Sequence, residues 1–208
     1  MLIRIGKIET AKFLVDSSIR TGNEQASRLK KNLKLGRQEA QVRYERARIS
    51  FIGKNLELRL TNIIRAFPRW ENLSEFYLEL AKCTLELEAV KEQLGTTDRF
   101  MRQVRKLTSM YEDKAAKCRT EKALMTTRQA YIGRLHHESK TIEAALQGLD
   151  KARKIMREYP VVRDSLFTVA ITGFPNVGKT TLLSRLTGST PEIQNYSFTT
   201  KNINIGYI

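Results

Sequence analysis

The chain has 208 residues, of which 41% are hydrophobic and 28% are charged, a balance typical of a globular protein with a buried core. The first residues lack the apolar run and the small-residue cleavage site of a secretory signal, and no segment approaches the roughly 20 apolar residues of a membrane helix. Composition therefore argues against disordered, secreted and membrane-spanning classes, and we expect a cytoplasmic protein.

The net charge of +15 is concentrated in the first three quarters of the chain. Residues 1–160 hold 33 Lys and Arg against 20 Asp and Glu, whereas residues 161–208 hold 4 against 2. The most basic stretch contributes Arg20, Arg28, Lys30, Lys31, Lys34, Arg37, Arg43, Arg46 and Arg48. Such a run is often only a solvated face, but an excess of this size favours a polyanionic partner such as nucleic acid, bound through its phosphates.

Cysteine and histidine give no sign of metal chemistry in this sequence. Cys83 and Cys118 have no ligand-like spacing, which favours reduced, half-buried thiols. His136 and His137 are adjacent and therefore point in different directions on a helix, so we interpret them as helix-face residues.

The first long helical pattern starts near Thr21 or Asn23, both good N-caps, and runs to Phe67. Its apolar stripe slips by one residue beside Gly53, which predicts a bend or a stutter there. Pro68 ends the pattern. A continuous helix of this length would be a rod of roughly 60–70 Å.

Two further helices are predicted after the turn that contains Trp70. The second helix of the chain carries an apolar stripe from Leu73 to Leu94, with Gly95 in a C-cap position. The third begins at Thr97 or Asp98 and breaks near residues 117–120.

A fourth helix is predicted from Glu121 to Glu158, and Pro160 ends it. Long helices joined by short turns indicate an elongated antiparallel helical bundle over residues 1–160. Periodicity alone leaves a plain coiled-coil spacer open.

The pattern changes after Pro160, so we place the domain boundary near residues 159–163. Residues 165–172, "SLFTVAIT", form an apolar, β-rich run of strand length. A glycine-containing loop and the short helical pattern "KTTLLSRLTG" follow it. This order predicts the start of an α/β domain over residues 161–208, and hence an α + α/β chain.

The loop from Gly173 to Thr180 fits G-x-x-x-x-G-K-[ST] completely. Gly173 and Gly178 allow a tight path around phosphate, and the helix N-terminus favours negative charge. Lys179 is placed to reach the β- and γ-phosphates, and the Thr180 hydroxyl to hold Mg²⁺. These residues predict a nucleotide-binding site but do not distinguish GTP from ATP.

The segment from Asn195 to Ile208, "NYSFTTKNINIGYI", follows the loop at the distance of a first switch. Two threonines precede an alternating strand pattern. In a nucleotide switch, such a threonine closes on Mg²⁺ and the γ-phosphate.

These motifs together resemble the Obg-related GTPases, and in particular the nucleolar GTP-binding protein (Nog) family, in an archaeal-type form. "GFPNVGKTTLL" and "PEIQNYSFTTKNINIGY" resemble the first motif and first switch of that group. "NLELRLTNIIRAFPRWENLSEFYLELA" (residues 55–81) and "AYIGRL" (residues 130–135) resemble the helical domain that precedes the GTPase domain in this family. The resemblance covers nearly the whole chain.

The resemblance implies a Ras-like GTPase domain that binds GTP or GDP with Mg²⁺ and acts in assembly of the large ribosomal subunit, with ribosomal RNA or the pre-ribosomal particle as partner of the basic helical domain. It implies a nucleolar location if the source is a eukaryote. Lys179 and Thr200 would be catalytic, and Thr180 and Thr200 would hold Mg²⁺. The implied nucleotide-binding set is Gly173, Asn176, Val177, Gly178, Lys179, Thr180, Thr181, Phe198, Thr199 and Thr200.

Asn176 supports a further hypothesis by the same resemblance. Several relatives with G-x-P-N in this loop use the Asn to bind K⁺, which supplies positive charge in the transition state. The interpretation that we favour is that Asn176 only shapes the loop.

The D-x-x-G and N-K-x-D motifs and the Ser-Ala loop of a GTPase do not occur in this chain. We therefore expect a C-terminally truncated sequence, a GTPase only by resemblance, with residues 202–208 forming a strand without a partner and residues 161–208 unstable alone. The alternative is an RNA- or ribosome-binding helical module whose incomplete nucleotide domain does not hydrolyse GTP.

Overall fold

The computed structural model describes residues 5–30, 37–162, 168–174, 176–187, 192–194 and 203–206. Most of this chain is helical. The α-helices are α1 (Ala11–Lys30), α2 (Arg37–Ala66), α3 (Glu75–Thr84), α4 (Leu87–Ala116), α5 (Glu121–Ser139), α6 (Glu143–Arg157) and α7 (Lys179–Thr187). The 3₁₀ turns are Trp70–Asn72 and Lys140–Ile142, and the strands are β1 (Glu192–Gln194) and β2 (Ile203–Ile205).

The described residues form two compact units. The bundle unit comprises Gly6–Phe67 and Glu88–Asp150, and thus α1, α2, α5 and most of α4. The loop unit comprises Pro68–Leu87 together with the described residues after Asp150 and Ile5. No helix within the described ranges is both long and apolar enough to cross a lipid bilayer.

The start of α1 corrects the prediction of a helix that begins near Thr21 or Asn23. The helix begins ten residues earlier, because the Thr10 Oγ1 accepts the backbone N–H of Phe13 at 3.2 Å as an N-cap. The Glu143 carboxylate also accepts the Ala11 N–H at 2.8 Å. This second partner lies far along the sequence, so periodicity gave no sign of it.

Helices α1 and α2 pack against each other, so the predicted single rod is wrong. At their contact a Cβ on Gly22 would lie 2.7 Å from the backbone N of Ile52, so only glycine permits this approach. Helix α2 continues across Gly53, where a bend or stutter is predicted. Gly53 makes room for the Thr108 side chain of α4.

The sequence predicts a break between the second and third helices at Gly95–Thr97. This prediction is wrong, because α4 runs through these residues. The Thr96 and Thr97 hydroxyls donate to the carbonyls four residues earlier, at 2.9 Å each, which satisfies them inside a helix. The chain breaks after α3, where Leu85 is extended with φ −124° and ψ 145°. No glycine or proline marks that position.

The break predicted at residues 117–120 is confirmed, and Thr120 caps α5 by accepting the Ala123 N–H at 3.3 Å. The predicted fourth helix is interrupted by the 3₁₀ turn Lys140–Ile142 and resumes as α6. Of the cysteines, Cys83 is exposed, not half-buried as expected, and Cys118 is half-buried.

The interior of the bundle unit is mostly apolar, with one buried ion cluster. Its least exposed side chains include Val15, Ala26, Ile49, Ile52, Leu56, Leu60, Val104, Tyr131 and Leu135. Glu45 of α2, only 2% exposed, accepts from Arg48 at 3.1 Å and from Arg128 of α5 at 2.7 Å. The Arg48 Nε also donates to Asn23 of α1 at 2.9 Å, so the cluster joins three helices.

The strand predicted at residues 165–172 is not formed in its described part. Residues 168–172 have no regular secondary structure, and no described strand pairs with them. The expectation that β2 has no partner strand is wrong. It pairs antiparallel with β1, with Ile193 opposite Asn204.

Candidate nucleotide-binding site

Among its described residues, the loop predicted to bind phosphate has three with positive φ. Gly173 has φ 154°, Asn176 has φ 62° and Gly178 has φ 87°. Asparagine is one of the few residues besides glycine that tolerates the left-handed region, so Asn176 suits its position in the loop. The positive φ values at Gly173 and Gly178 agree with the tight path inferred from the sequence.

The loop leads directly into α7, which begins at Lys179. The Gly178 carbonyl accepts the Leu182 N–H at 2.9 Å, which closes the first helical turn. The first N–H groups of a helix have no acceptor within the helix, and the helix dipole adds partial positive charge there. This end of α7 therefore favours an anionic group such as phosphate.

Lys179 reaches back across the loop. Its Nζ donates to the Phe174 carbonyl oxygen at 2.6 Å. A Cβ on Gly173 would lie 3.9 Å from the Lys179 Cδ and 3.5 Å from the Val177 Cγ2, so the lysine stem runs close beside the loop backbone. The ammonium group is thereby held at the loop, where a bound phosphate would meet it.

The threonines after Lys179 lie on the exposed first turn of α7. Thr180 and Thr181 are both exposed, and the Thr180 carbonyl accepts from the Ser184 hydroxyl at 2.9 Å. The predicted switch residues Phe198, Thr199 and Thr200 lie outside the described residues. The structure thus brings together the loop members of the predicted set and leaves the switch members untested.

Sequence reasoning missed the Phe174 carbonyl as the partner of Lys179. Every residue has a backbone carbonyl, so no residue type could have marked this contact. The Phe174 ring is 84% exposed.

The basic stretch of the helical region is only partly available to a polyanion. Arg20, Arg28, Arg43 and Arg46 are exposed, whereas Arg48 is half-buried in the ion cluster with Glu45. The remaining cations of the stretch, Lys30, Lys31, Lys34 and Arg37, have side chains outside the described set.

Two sequence profiles match adjoining parts of the chain. The profile of the NOG1 N-terminal helical domain matches residues 4–163. A profile described as a 50S ribosome-binding GTPase matches residues 168–208, which include the loop and α7.

Individual relatives agree with the profiles. An uncharacterized protein of Methanocaldococcus jannaschii is 34% identical over 164 residues, which cover 79% of this chain and 47% of the relative. Nucleolar GTP-binding protein 1 of Caenorhabditis elegans is 28% identical over 168 residues, which cover 77% of this chain and 24% of the relative. The protein of the same name from Arabidopsis thaliana is 28% identical over 166 residues, which also cover 77% of this chain and 24% of the relative.

A loop of this geometry at the start of a helix is typical of P-loop nucleotide-binding proteins, and the profile match over residues 168–208 is to a GTPase. The chain matches that class over its last 41 residues and the helical domain over 160 residues. It belongs to the Nog1 family of GTP-binding proteins, which confirms the resemblance inferred from the motifs. The chain spans 24% to 47% of the length of the relatives described above.

Proposed function

We propose that this chain carries the phosphate-binding part of a GTP-dependent switch that acts in assembly of the large ribosomal subunit. The observation that supports the proposal most directly is the geometry of the loop. Three of its described residues have positive φ, and the Lys179 Nζ donates to the Phe174 carbonyl. The family names, a 50S ribosome-binding GTPase and a nucleolar GTP-binding protein, support the guanine base and the ribosomal setting.

Each loop residue has a role in this proposal. Residues 176–180 wrap the phosphates, with backbone N–H groups of the loop and of α7 as donors. Lys179 contacts the β- and γ-phosphates and stabilises the charge that develops during hydrolysis. Thr181 contacts the α-phosphate.

The Thr180 side chain suits Mg²⁺, because a hydroxyl oxygen is the kind of ligand that this cation prefers. The Thr180 hydroxyl lies on the first turn of α7, beside the Lys179 that would meet the phosphates. Thr180 and Thr200 would hold the ion, with Phe198 and Thr199 completing the switch. Bound there, Mg²⁺ would neutralise charge on the phosphate oxygens.

K⁺ bound by Asn176 remains a narrower hypothesis within this proposal. The φ of 62° is consistent with the simpler role, in which the residue only shapes the loop. If the full-length protein hydrolyses GTP at the same rate in sodium and in potassium, the K⁺ hypothesis is wrong.

The two parts of the chain have different proposed roles, in line with their different net charges. Residues 1–160 form a basic helical domain that contacts ribosomal RNA or the pre-ribosomal particle, and residues 161–208 begin the GTPase domain. Phosphate contacts from exposed cations such as Arg43 and Arg46 would make RNA binding strongly dependent on salt. The protein would act in the cytoplasm, or in the nucleolus of a eukaryote.

The test is GTP binding by the full-length protein, measured by titration calorimetry. Lys179→Ala removes the charged contacts to two phosphates, and we expect affinity to fall about 10- to 100-fold. Arg185→Ala, which removes an exposed cation from the last turn of the same helix, is the control and should bind as the wild type does. Equal affinity of wild type and Lys179→Ala would refute the site.

A second candidate function is an RNA- or ribosome-binding helical module without GTP hydrolysis. The observation that favours it is the charge excess of residues 1–160. This second function predicts that the full-length protein binds RNA equally well with and without Lys179→Ala. It also predicts that the wild type hydrolyses no GTP. RNA-dependent or intrinsic hydrolysis that Lys179→Ala abolishes would exclude it.

A further inference from the structure

Two segments that are distant in the sequence meet at one end of the bundle unit. The Gln38 side-chain amide, at the start of α2, donates to the Arg119 carbonyl at 2.8 Å. The Gln41 amide donates to the Glu121 carboxylate at 3.4 Å. The first turns of α2 therefore lie beside the turn between α4 and α5, although 80 residues or more separate the bonded pairs in the sequence.

Both segments are rich in cations. Residues 28–46 and 112–122 hold 11 Lys and Arg against 5 Asp and Glu, whereas the rest of the bundle unit holds 15 against 10. These two segments are the smaller part of the unit and yet carry more than half of its net positive charge. The basic stretch recognised from the sequence includes only the first of them, so the fold adds the second.

Six exposed cations of α2 and of the turn between α4 and α5 form what we call the basic end. They are Arg43, Arg46, Lys114, Lys117, Arg119 and Lys122. Among the described residues, none of the six forms an ion pair. Their charges are therefore available to a ligand.

The acidic side chains at this end do not cancel its charge. Glu39, Asp113 and Glu121 are exposed, and Glu112 is half-buried. Glu121 already accepts the Gln41 amide. The six cations outnumber these four carboxylates, so the basic end favours a polyanion.

The side chains around the cations favour phosphate groups over a protein surface as the ligand. Large apolar side chains are exposed elsewhere on the bundle unit, for example Phe13 and Leu58, but none is exposed in the described part of the two segments. Apolar and aromatic residues form the core of most protein interfaces. An end that offers cations without such a core is typical of contacts with a nucleic-acid backbone.

The aromatic rings at this end favour a double helix over a single strand. Tyr44 and Tyr111 are both half-buried. The Arg48 guanidinium lies 5.4 Å from the centre of the Tyr44 ring, and the Tyr111 and Tyr131 ring centres are 5.4 Å apart. Single strands are held by bases that stack on exposed rings, whereas double-helical RNA is recognised through its shape and its phosphates.

We propose that the basic end binds the phosphate backbone of double-helical RNA. This inference rests on the proposed function, which assigns the helical domain to ribosomal RNA or the pre-ribosomal particle. It adds the surface that makes the contact and the form of RNA that this surface takes. It also adds that the turn between α4 and α5 binds the RNA together with α2.

Binding of the full-length protein to a labelled RNA duplex of about 20 base pairs, measured by fluorescence anisotropy, tests this surface. The triple variant Lys117→Ala/Arg119→Ala/Lys122→Ala removes three cations from the turn and keeps the Arg119 carbonyl that Gln38 contacts. We expect affinity to fall about 10-fold or more near physiological salt. The slope of log affinity against log salt should become shallower by about 2 to 3.

The matched control is the triple variant Lys12→Ala/Lys106→Ala/Lys140→Ala. These three cations are also exposed and belong to the bundle unit, but they lie outside both segments. The control removes the same charge from sites that screening separates from the bound duplex, so its affinity should stay within about threefold of wild type. Both triple variants should unfold at the wild-type temperature, because every substituted side chain is exposed.

The contribution of α2 is tested by Arg43→Ala/Arg46→Ala. If α2 and the turn form one surface, this double variant should also weaken duplex binding and lower the salt slope, by about 2 at most. Wild-type affinity in either the double variant or the triple variant of the turn would overturn the joint surface. Equal losses in the triple variant of the turn and in its control would do the same.

The remaining outcomes separate this inference from the function beneath it. Tighter binding of a single-stranded RNA of the same length, or of polyglutamate, would overturn the assignment to double-helical RNA. If the wild type binds GTP by calorimetry but no duplex, the basic end is wrong and the nucleotide switch stands. If the duplex binds through the basic end but GTP does not bind, the surface stands and the switch fails.

Discussion

Helices α2 and α7 differ in what they bury. Four apolar side chains of α2, Ile49, Ile52, Leu56 and Leu60, are fully buried in the bundle unit. Helix α7 buries no residue, and its Leu182 and Leu186 are 47% and 52% exposed. Helix α2 therefore stabilises the bundle unit by packing, whereas α7 contributes backbone geometry and one lysine to the loop. Substitutions in the two should separate into effects on stability and effects on affinity.

The largest effect on stability is expected at the buried ion cluster. Glu45→Ala removes the shared acidic partner of Arg48 and Arg128, whose side chains are only 17% and 15% exposed. Loss of this counter-charge from two half-buried cations should lower the free energy of unfolding by about 3–5 kcal/mol in urea denaturation. Glu24→Ala, at an exposed site of α1, should stay within about 0.5 kcal/mol. Similar values for the two variants would show that the cluster does not stabilise the bundle.

A pair of leucines tests the comparison directly in the 208-residue chain. Leu56→Ala leaves a cavity in the bundle and should cost about 2–5 kcal/mol of unfolding free energy. Leu182→Ala on α7 should cost about 0.5 kcal/mol or less, because nearly half of that side chain is already exposed. Equal losses, read from the same urea titrations, would contradict the contrast between the two helices.

Close packing of α1 on α2 predicts an effect of overpacking. Gly22→Ala places a methyl group 2.7 Å from the Ile52 backbone, which cannot move aside as a flexible side chain would. We expect a loss of about 1–3 kcal/mol in thermal or urea unfolding. Gly133→Ala has open space at its Cβ on α5 and should instead stabilise by about 0.5–1 kcal/mol. A stabilising Gly22→Ala would mean that the helices do not approach so closely.

The smallest effect is confined to alkaline solution. Burial raises the pKa of the Tyr131 hydroxyl well above its usual value, although the Thr108 hydrogen bond opposes this. Above pH about 10 the unfolded chain loses this proton while the folded chain keeps it, so stability falls as pH rises. The loss should approach about 1.4 kcal/mol per pH unit. Tyr131→Phe should flatten this part of the profile; an unchanged slope would contradict the assignment.

The sequence predicted the helical class, the break near residues 117–120 and the phosphate loop, because these depend on local residue types. It misplaced the start of α1, since one of the partners that satisfies this helix end is Glu143, far along the chain. It placed a helix break at Gly95, where nothing lies within 4 Å of a Cβ and neighbouring threonines bond within α4. The contact between Lys179 and the Phe174 carbonyl was equally invisible, because it joins a side chain to a backbone atom.

Competition for bound fluorescent GDP tests the central claim most directly. The full-length protein is titrated with GTP and, separately, with ATP in the presence of Mg²⁺. We predict that GTP displaces the probe at least about 100-fold more effectively than ATP, because a site built to hydrogen-bond guanine would leave its polar groups unpaired with adenine. We also predict that Lys179→Ala binds the probe weakly. Displacement by ATP as effective as that by GTP, or no binding of the guanine probe at all, would contradict a guanine-nucleotide switch.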